Sequence, residues 1–275
     1  AMFPPTAKAV LQPNSTAQVA AVTARAITLA TSGRPGPVVV ILPRDLTDGA
    51  VGDPGIPSPR QRPGVAPEAA ALDDAARMIA QAQRPLILSG EIIAIKDAKS
   101  ALVTLAEATG APVMSTYRRQ DTFPNEHPSY AGHLEINRLP YQKQALDEAD
   151  LLIAIGSRMD GITAEDGALP RAHQTFLQIY PDADVLARCQ ADLSLLSDPG
   201  AACLALAERI AAPSDQERRD GLHQAYLASS APGTVEVRGA VDLAEVAAEV
   251  RRQVRPETVI LTDGGSFARW IHRFY

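Results

Sequence analysis

Residues Leu151-Leu152-Ile153-Ala154-Ile155 form a continuous apolar run between Ala149-Asp150 on one side and Gly156-Ser157-Arg158 on the other. Five residues are too few for a buried helix. They suit a strand covered on both faces, as the inner strands of a parallel sheet are. Gly156 then falls at the strand's carboxyl end, where open α/β sheets collect ligands. The same form recurs at Pro85–Ser89 followed by Gly90, at Pro112–Thr116, and at Thr175–Tyr180. The sequence therefore predicts an α/β fold: a Rossmann-like, three-layer domain with a parallel sheet at its centre.

Helical periodicity fills the spaces between these runs. Pro67 suits the first position of a helix reaching about Ala82, with Leu72, Ala75, Ala76 and Ile79 inward. Asp97 is expected to open a second helix, closed by Gly110. A long loop is expected from Tyr117 to Leu139, and then a helix over 140–148. Leu193 to Leu196 reads as an edge strand, and Pro199 starts a helix ending near Ile210. The central domain is set at 67–212, between linkers at 47–66 and 213–239, the second holding a helix in polar surroundings.

The two flanks look like pieces of other α/β units. Asn14-Ser15-Thr16 can cap a helix to about Thr31, with Val19, Val22, Ala26 and Leu29 on one face, before a strand over 38–42. Asp242 can cap a helix reaching Val254. A strand Val259–Thr262, the turn Asp263-Gly264-Gly265-Ser266 and a helix from Phe267 to Phe274 are expected after it. Residues 1–46 and 240–275 are thus expected to be the end of one domain and the beginning of another, the chain being a segment of a longer protein.

Bulk properties narrow the partners. Among 275 residues the net charge is −6 and no basic run occurs, which disfavours nucleic acid. No apolar stretch is long enough to span a bilayer, and no signal pattern opens the chain. Cys189 and Cys203 are the two cysteines, too far apart for a metal site or disulfide framework, so a cytoplasmic setting is expected. His127, His133, His173, His223 and His272 show no metal-ligand spacing and read as structural hydrogen-bonders.

Several motifs, in this order, resemble the thiamine-diphosphate enzymes, nearest the acetolactate-synthase and pyruvate-oxidase-like decarboxylases and carboligases. Ser32-Gly33-Arg34-Pro35-Gly36-Pro37-Val38 through Leu42-Pro43-Arg44-Asp45 resembles the close of that family's pyrimidine-binding domain. Arg84-Pro85 with Gly90, Thr109-Gly110-Ala111-Pro112-Val113, His127-Pro128, Gly132, and Ala149-Asp150 with Gly156-Ser157-Arg158 resemble its central domain. Thr262-Asp263-Gly264-Gly265 with Trp270 resembles the entry to its diphosphate-binding domain.

The resemblance implies thiamine diphosphate and Mg2+ in the full-length enzyme and a small 2-oxo acid as substrate. It also implies a homodimer or homotetramer whose active sites lie between domains and subunits. The family's activating glutamate and its Gly-Asp-Gly…Asn magnesium motif have no counterpart here, since Gly52-Asp53-Pro54 lies in a linker. No catalytic residue is therefore assigned, and the segment alone is expected to be inactive.

Two candidate sites follow. Asp263, Gly264, Gly265, Ser266 and Phe267 would face the thiamine diphosphate phosphates: glycines let backbone amides approach an anion, which a helix start favours. Gly90, Gly156, Ser157 and Arg158 would border an FAD or ADP crevice, as the resemblance implies for some relatives. Glu91 after Gly90, the missing second glycine in Gly132-His133-Leu134-Glu135, and Tyr180 in place of an acidic residue all depart from that pattern. The alternative is a non-catalytic α/β domain that binds a nucleotide (FAD, ADP or NAD) or serves oligomerisation.

Overall fold

The structure, a computed structural model, describes residues 6–49, 64–213, 216–255 and 257–275. Most of the expected linker at 47–66, with Gly52-Asp53-Pro54, lies outside the described residues.

A small unit opens the chain. Strand β1 (Ala9–Leu11) runs parallel to β2 (Val38–Val40), with helix α1 (Val19–Thr31) as the crossover between them. The three-residue β1 was not expected, and β2 is shorter than the 38–42 run. Ser15 precedes a short 3-10 turn but makes no capping bond, and Ala26 is the buried residue of α1. A one-turn helix, α2 (Arg44–Thr47), follows.

The central domain is built from β3 (Pro85–Ser89), β4 (Val113–Ser115), β5 (Tyr130–His133), β6 (Leu151–Ile155), β7 (Thr175–Tyr180) and β8 (Leu193–Leu196). They form one sheet, all parallel, in the order β5-β4-β3-β6-β7-β8. The chain winds outward from β3 in one direction and, after crossing back to β6, outward in the other. That is the doubly wound α/β architecture, and the order reverses between β3 and β6. The register Pro85↔Leu151 through Ser89↔Ile155 sets these two inner strands level. Asp150 fixes that register from below: its carboxylate accepts from the Gln83 amide at 2.6 Å and the Arg84 amide at 2.9 Å.

Alternate residues of each strand feed two apolar layers, as the pleat requires. Ile87, Val113, Ile153, Ile155, Leu177 and Ile179 pack with helices α3 (Ala69–Gln81), α5 (Lys99–Thr109) and α8 (Pro199–Ala207). Leu86, Leu88, Met114, Leu152, Ala154 and Phe176 face α6 (Pro140–Glu148). Each buried Leu or Ile contributes on the order of 1.5–3 kcal/mol. Pro140 at the first helical turn sets the start of α6, and the Leu139 amide donates to Gln142 Oε1 at 3.0 Å. Gly110, with φ 67°, takes the left-handed position that ends α5.

Other elements depart from sequence expectation. The turn after β3 folds into helix α4 (Glu91–Ile95), and Asp97 stands in the left-handed region (φ 52°) outside α5. The long loop 117–139 contains the edge strand β5, and helix α7 (Ala183–Cys189), capped by Asp182, joins β7 to β8. Helix α3 begins two residues beyond Pro67, and α8 stops at Ala207.

Within 213–239, helix α9 (Gln216–Ser230) packs along β5, where His223 Nδ1 lies 2.8 Å from the Tyr130 carbonyl oxygen. Asp242 caps helix α10 (Leu243–Gln253), accepting from the Ala244 amide at 2.8 Å. Residues 259–262 form no strand: Val259 and Leu261 are 78% and 90% exposed, with no neighbouring strand to pair with among the described residues. An isolated strand cannot satisfy its backbone groups, so apolar composition alone does not make one. Helix α11 (Ala268–Phe274) closes the chain and packs on α10 through Phe274, Trp270 and Ile271.

Candidate functional sites

The order reversal between β3 and β6 brings Gly90, Gly156 and Ser157 together, as the sequence anticipates. Their packing leaves no opening between the two turns. A methyl group on Gly90 would lie 2.3 Å from Ser157 Cα and 2.5 Å from the Gly156 carbonyl oxygen. Gly156, at φ 65°, needs the left-handed region, and a methyl there would press on Ile92 at 3.1 Å. Several of the amides at these turns are already used. Gly90 N donates to Ile155 O at 2.9 Å, and Ile92 N to Gly156 O at 3.1 Å. Ser157 Oγ accepts from the Met159 amide at 3.2 Å, while Arg158 is exposed.

Glu91 and Tyr180 complete this arrangement. The Tyr180 hydroxyl donates to Glu91 Oε1 at 3.0 Å across the carboxyl ends of β7 and β3. Burial, reinforced by the Glu91 charge, holds the Tyr180 hydroxyl far above the usual tyrosine range. A carboxylate in this turn repels pyrophosphate, and the glycines serve backbone packing. The residues present do not fit an FAD or ADP phosphate here.

The second candidate, Asp263–Phe267, is an exposed loop leading into α11. Asp263 Oδ1 accepts from the Gly264 amide at 2.6 Å. The amides of Gly265, Ser266 and Phe267 have no partner among the described residues, and nothing lies within 4 Å of a methyl placed on Gly265. The Arg118 guanidinium lies 3.9 Å from the corresponding position on Gly264. Open amides, a glycine and a nearby cation fit one wall of a site for a diphosphate.

Beside this loop is a cavity of about 440 Å3, lined among others by His133, Glu135, Tyr141, Ser266, Trp270 and His272. It lies where the end of β5 meets α9 and α11. Sequence spacing gave no sign of it: His133 ends β5 and Glu135 follows two residues later, whereas His272 arrives on the last helix. The fold brings their ligand atoms within 4.8 Å of one another.

Comparison with known proteins agrees with this architecture. Residues 72–206 match the family described as thiamine pyrophosphate enzyme, central domain. The central domain belongs to the thiamine pyrophosphate enzyme family. Thiamine pyrophosphate is thiamine diphosphate under its other name. The chain is 30% identical over 267 residues to a probable acetolactate synthase large subunit of Methanocaldococcus jannaschii, covering 91% of this chain and 45% of that protein. It is 32% identical over 190 residues to a sulfoacetaldehyde acetyltransferase of Rhodobacter capsulatus, covering 67% of this chain and 32% of that one. The chain thus spans less than half the length of either relative. A putative thiamin diphosphate-dependent enzyme from Mycobacterium smegmatis superposes with a TM-score of 0.62 at 28% identity, over 78% of this chain and 41% of that one. Benzoylformate decarboxylase from Polynucleobacter necessarius shares the fold, with a TM-score of 0.76 at 22% identity, over 100% of this chain and 50% of that one.

Proposed function

We propose that the chain is the middle portion of a thiamine-diphosphate- and Mg2+-dependent decarboxylase or carboligase acting on a 2-oxo acid. Residues 1–46 would close its pyrimidine-binding domain, 67–212 form its central domain, and 240–275 open its diphosphate-binding domain, with linkers at 47–66 and 213–239. The observation that carries this reading is the loop Asp263–Phe267, whose Gly265, Ser266 and Phe267 amides are uncommitted and whose Gly264 lies beside Arg118, in a chain with a thiamine pyrophosphate enzyme central domain.

In this assignment the open amides of Gly265, Ser266 and Phe267 bind the diphosphate, the Asp263–Gly264 bond shapes the turn, and Arg118 balances part of the charge. When bound, the thiazolium group supplies the electron sink that lets a 2-oxo acid lose carbon dioxide. The central sheet contributes rigidity, because the closed packing at Gly90 and Gly156 fixes β3 and β6. Magnesium would be held by residues outside this segment, which would be inactive alone. The whole protein would be a cytoplasmic homodimer or homotetramer. No helix among the described residues is long and apolar enough to cross a membrane.

The test is carbon dioxide release from a panel of 2-oxo acids by the protein of the full reading frame, with and without thiamine diphosphate and Mg2+. Release that requires the cofactor supports the proposal; none with any 2-oxo acid in the panel contradicts it.

A further inference from the structure

We infer that His133, Glu135 and His272 form a binding site for a divalent transition-metal ion of the zinc class, with one coordination position open to the cavity. Each residue offers one ligand atom, and the three lie within 4.8 Å of one another. Two imidazoles and one carboxylate are a donor set that zinc takes, leaving the fourth position for water or another ligand.

The site is built rather than accidental on the surface. His133 is 9% exposed and the Glu135 side chain 18%. The Glu135 carboxylate is divided between two tasks: Oε1 lies 3.1 Å from His133 Nε2, and Oε2 accepts from Arg269 Nε at 3.4 Å. Such an outer hydrogen bond orients a ligating carboxylate while leaving its other oxygen for the metal. The His133 carbonyl is held as well, accepting from Gln142 Nε2 at 2.8 Å. The His133 and His272 rings meet edge to face with centroids 5.9 Å apart, so modest rotations bring both nitrogens to one ion.

Nearby cations oppose a bare dication, yet they are largely engaged. Arg269 is held by Glu135, Arg273 donates to the Ser229 carbonyl at 2.8 Å, and Arg118 lies over the Tyr117 ring. Magnesium, which prefers oxygen ligands in octahedral geometry, is disfavoured by two nitrogens in this setting. A bound ion would join the end of β5 to α11, and so restrain Ser266 and the loop before it.

The test needs neither thiamine diphosphate nor a 2-oxo acid, so its outcome is independent of the catalytic proposal. Zinc is titrated into the chelator-stripped chain, with equilibrium dialysis giving the stoichiometry. Trp270, the single tryptophan and a cavity-lining residue, reports the site by fluorescence. One zinc per chain is expected, undisplaced by millimolar magnesium, with a four-coordinate visible absorption band when cobalt replaces it. His133→Ala, Glu135→Gln and His272→Ala should each weaken binding by at least about tenfold, and the remote His173→Ala should not. Thermal melts without metal identify any variant that fails to fold, and His133→Gln and His272→Gln then serve in its place. Absence of zinc binding, displacement by magnesium, or equal affinity in folded variants of all three ligands would overturn the assignment.

Discussion

The Tyr180 hydroxyl and the Glu91 carboxylate, on the ends of neighbouring chain turns, form a 3.0 Å hydrogen bond that joins β7 to the start of α4. Each residue by itself reads as a departure from a nucleotide-binding pattern. Together they are one packing device. A phenylalanine at position 180 would remove the donor and leave Glu91 to solvent. Tyr180→Phe should cost about 1–2 kcal/mol in urea unfolding, with the fold retained. No change in midpoint would show that the bond contributes nothing.

Gly90 permits a close backbone approach: a methyl placed there would lie 2.3 Å from Ser157 Cα. Backbone cannot step aside as a flexible side chain can. Gly90→Ala should therefore destabilise by at least about 1–3 kcal/mol in chemical denaturation. A variant as stable as wild type would show that the β3 and β6 turns are not locked together.

Alkaline pH acts on the buried tyrosines. Burial pushes the Tyr141 hydroxyl up to about 12, and those of Tyr130 and Tyr180 further. The unfolded value is about 10. Because the folded values are raised, the protonated hydroxyls contribute stability that is fully present below about pH 10 and is lost as pH rises toward the folded values. Denaturant midpoints should hold steady up to about pH 9 and fall above about pH 10. Tyrosinate absorbance should show Tyr130, Tyr141, Tyr180 and Tyr226, the last also raised by burial, ionising above the usual tyrosine range.

Asp242 holds the first turn of α10 through the Ala244 and Glu245 amides at 2.8 and 3.4 Å. Asp242→Ala should cost about 1 kcal/mol, while Asp242→Asn should preserve most of it. Helical circular dichroism during thermal unfolding measures both.

Legibility in the sequence followed the physics of each element. Strands 85–89, 151–155, 175–180 and 193–196 and helix 140–148 were readable to the residue, because short, mostly apolar runs and a first-turn proline are local signals. Strand β5, Tyr-Ala-Gly-His, carries no such run; its pairing with β4 and the cover of α9 make it a strand. Val259–Thr262 has the composition but no partner, and tertiary context decided against it. The closeness of Gly90 to Gly156 could be anticipated from the strand alternation. The meeting of His133, Glu135 and His272 could not, since it depends on where the last helix crosses the end of the sheet.

In the proposed assignment the loop Asp263–Phe267 receives the diphosphate. Gly265 has open space around it in this fold, so Gly265→Val should leave stability unchanged while crowding a phosphate. Calorimetric titration of thiamine diphosphate, with Mg2+, into the protein of the full reading frame tests this directly. At least tenfold weaker binding by Gly265→Val than by wild type is predicted; equal affinity in the two proteins would contradict it.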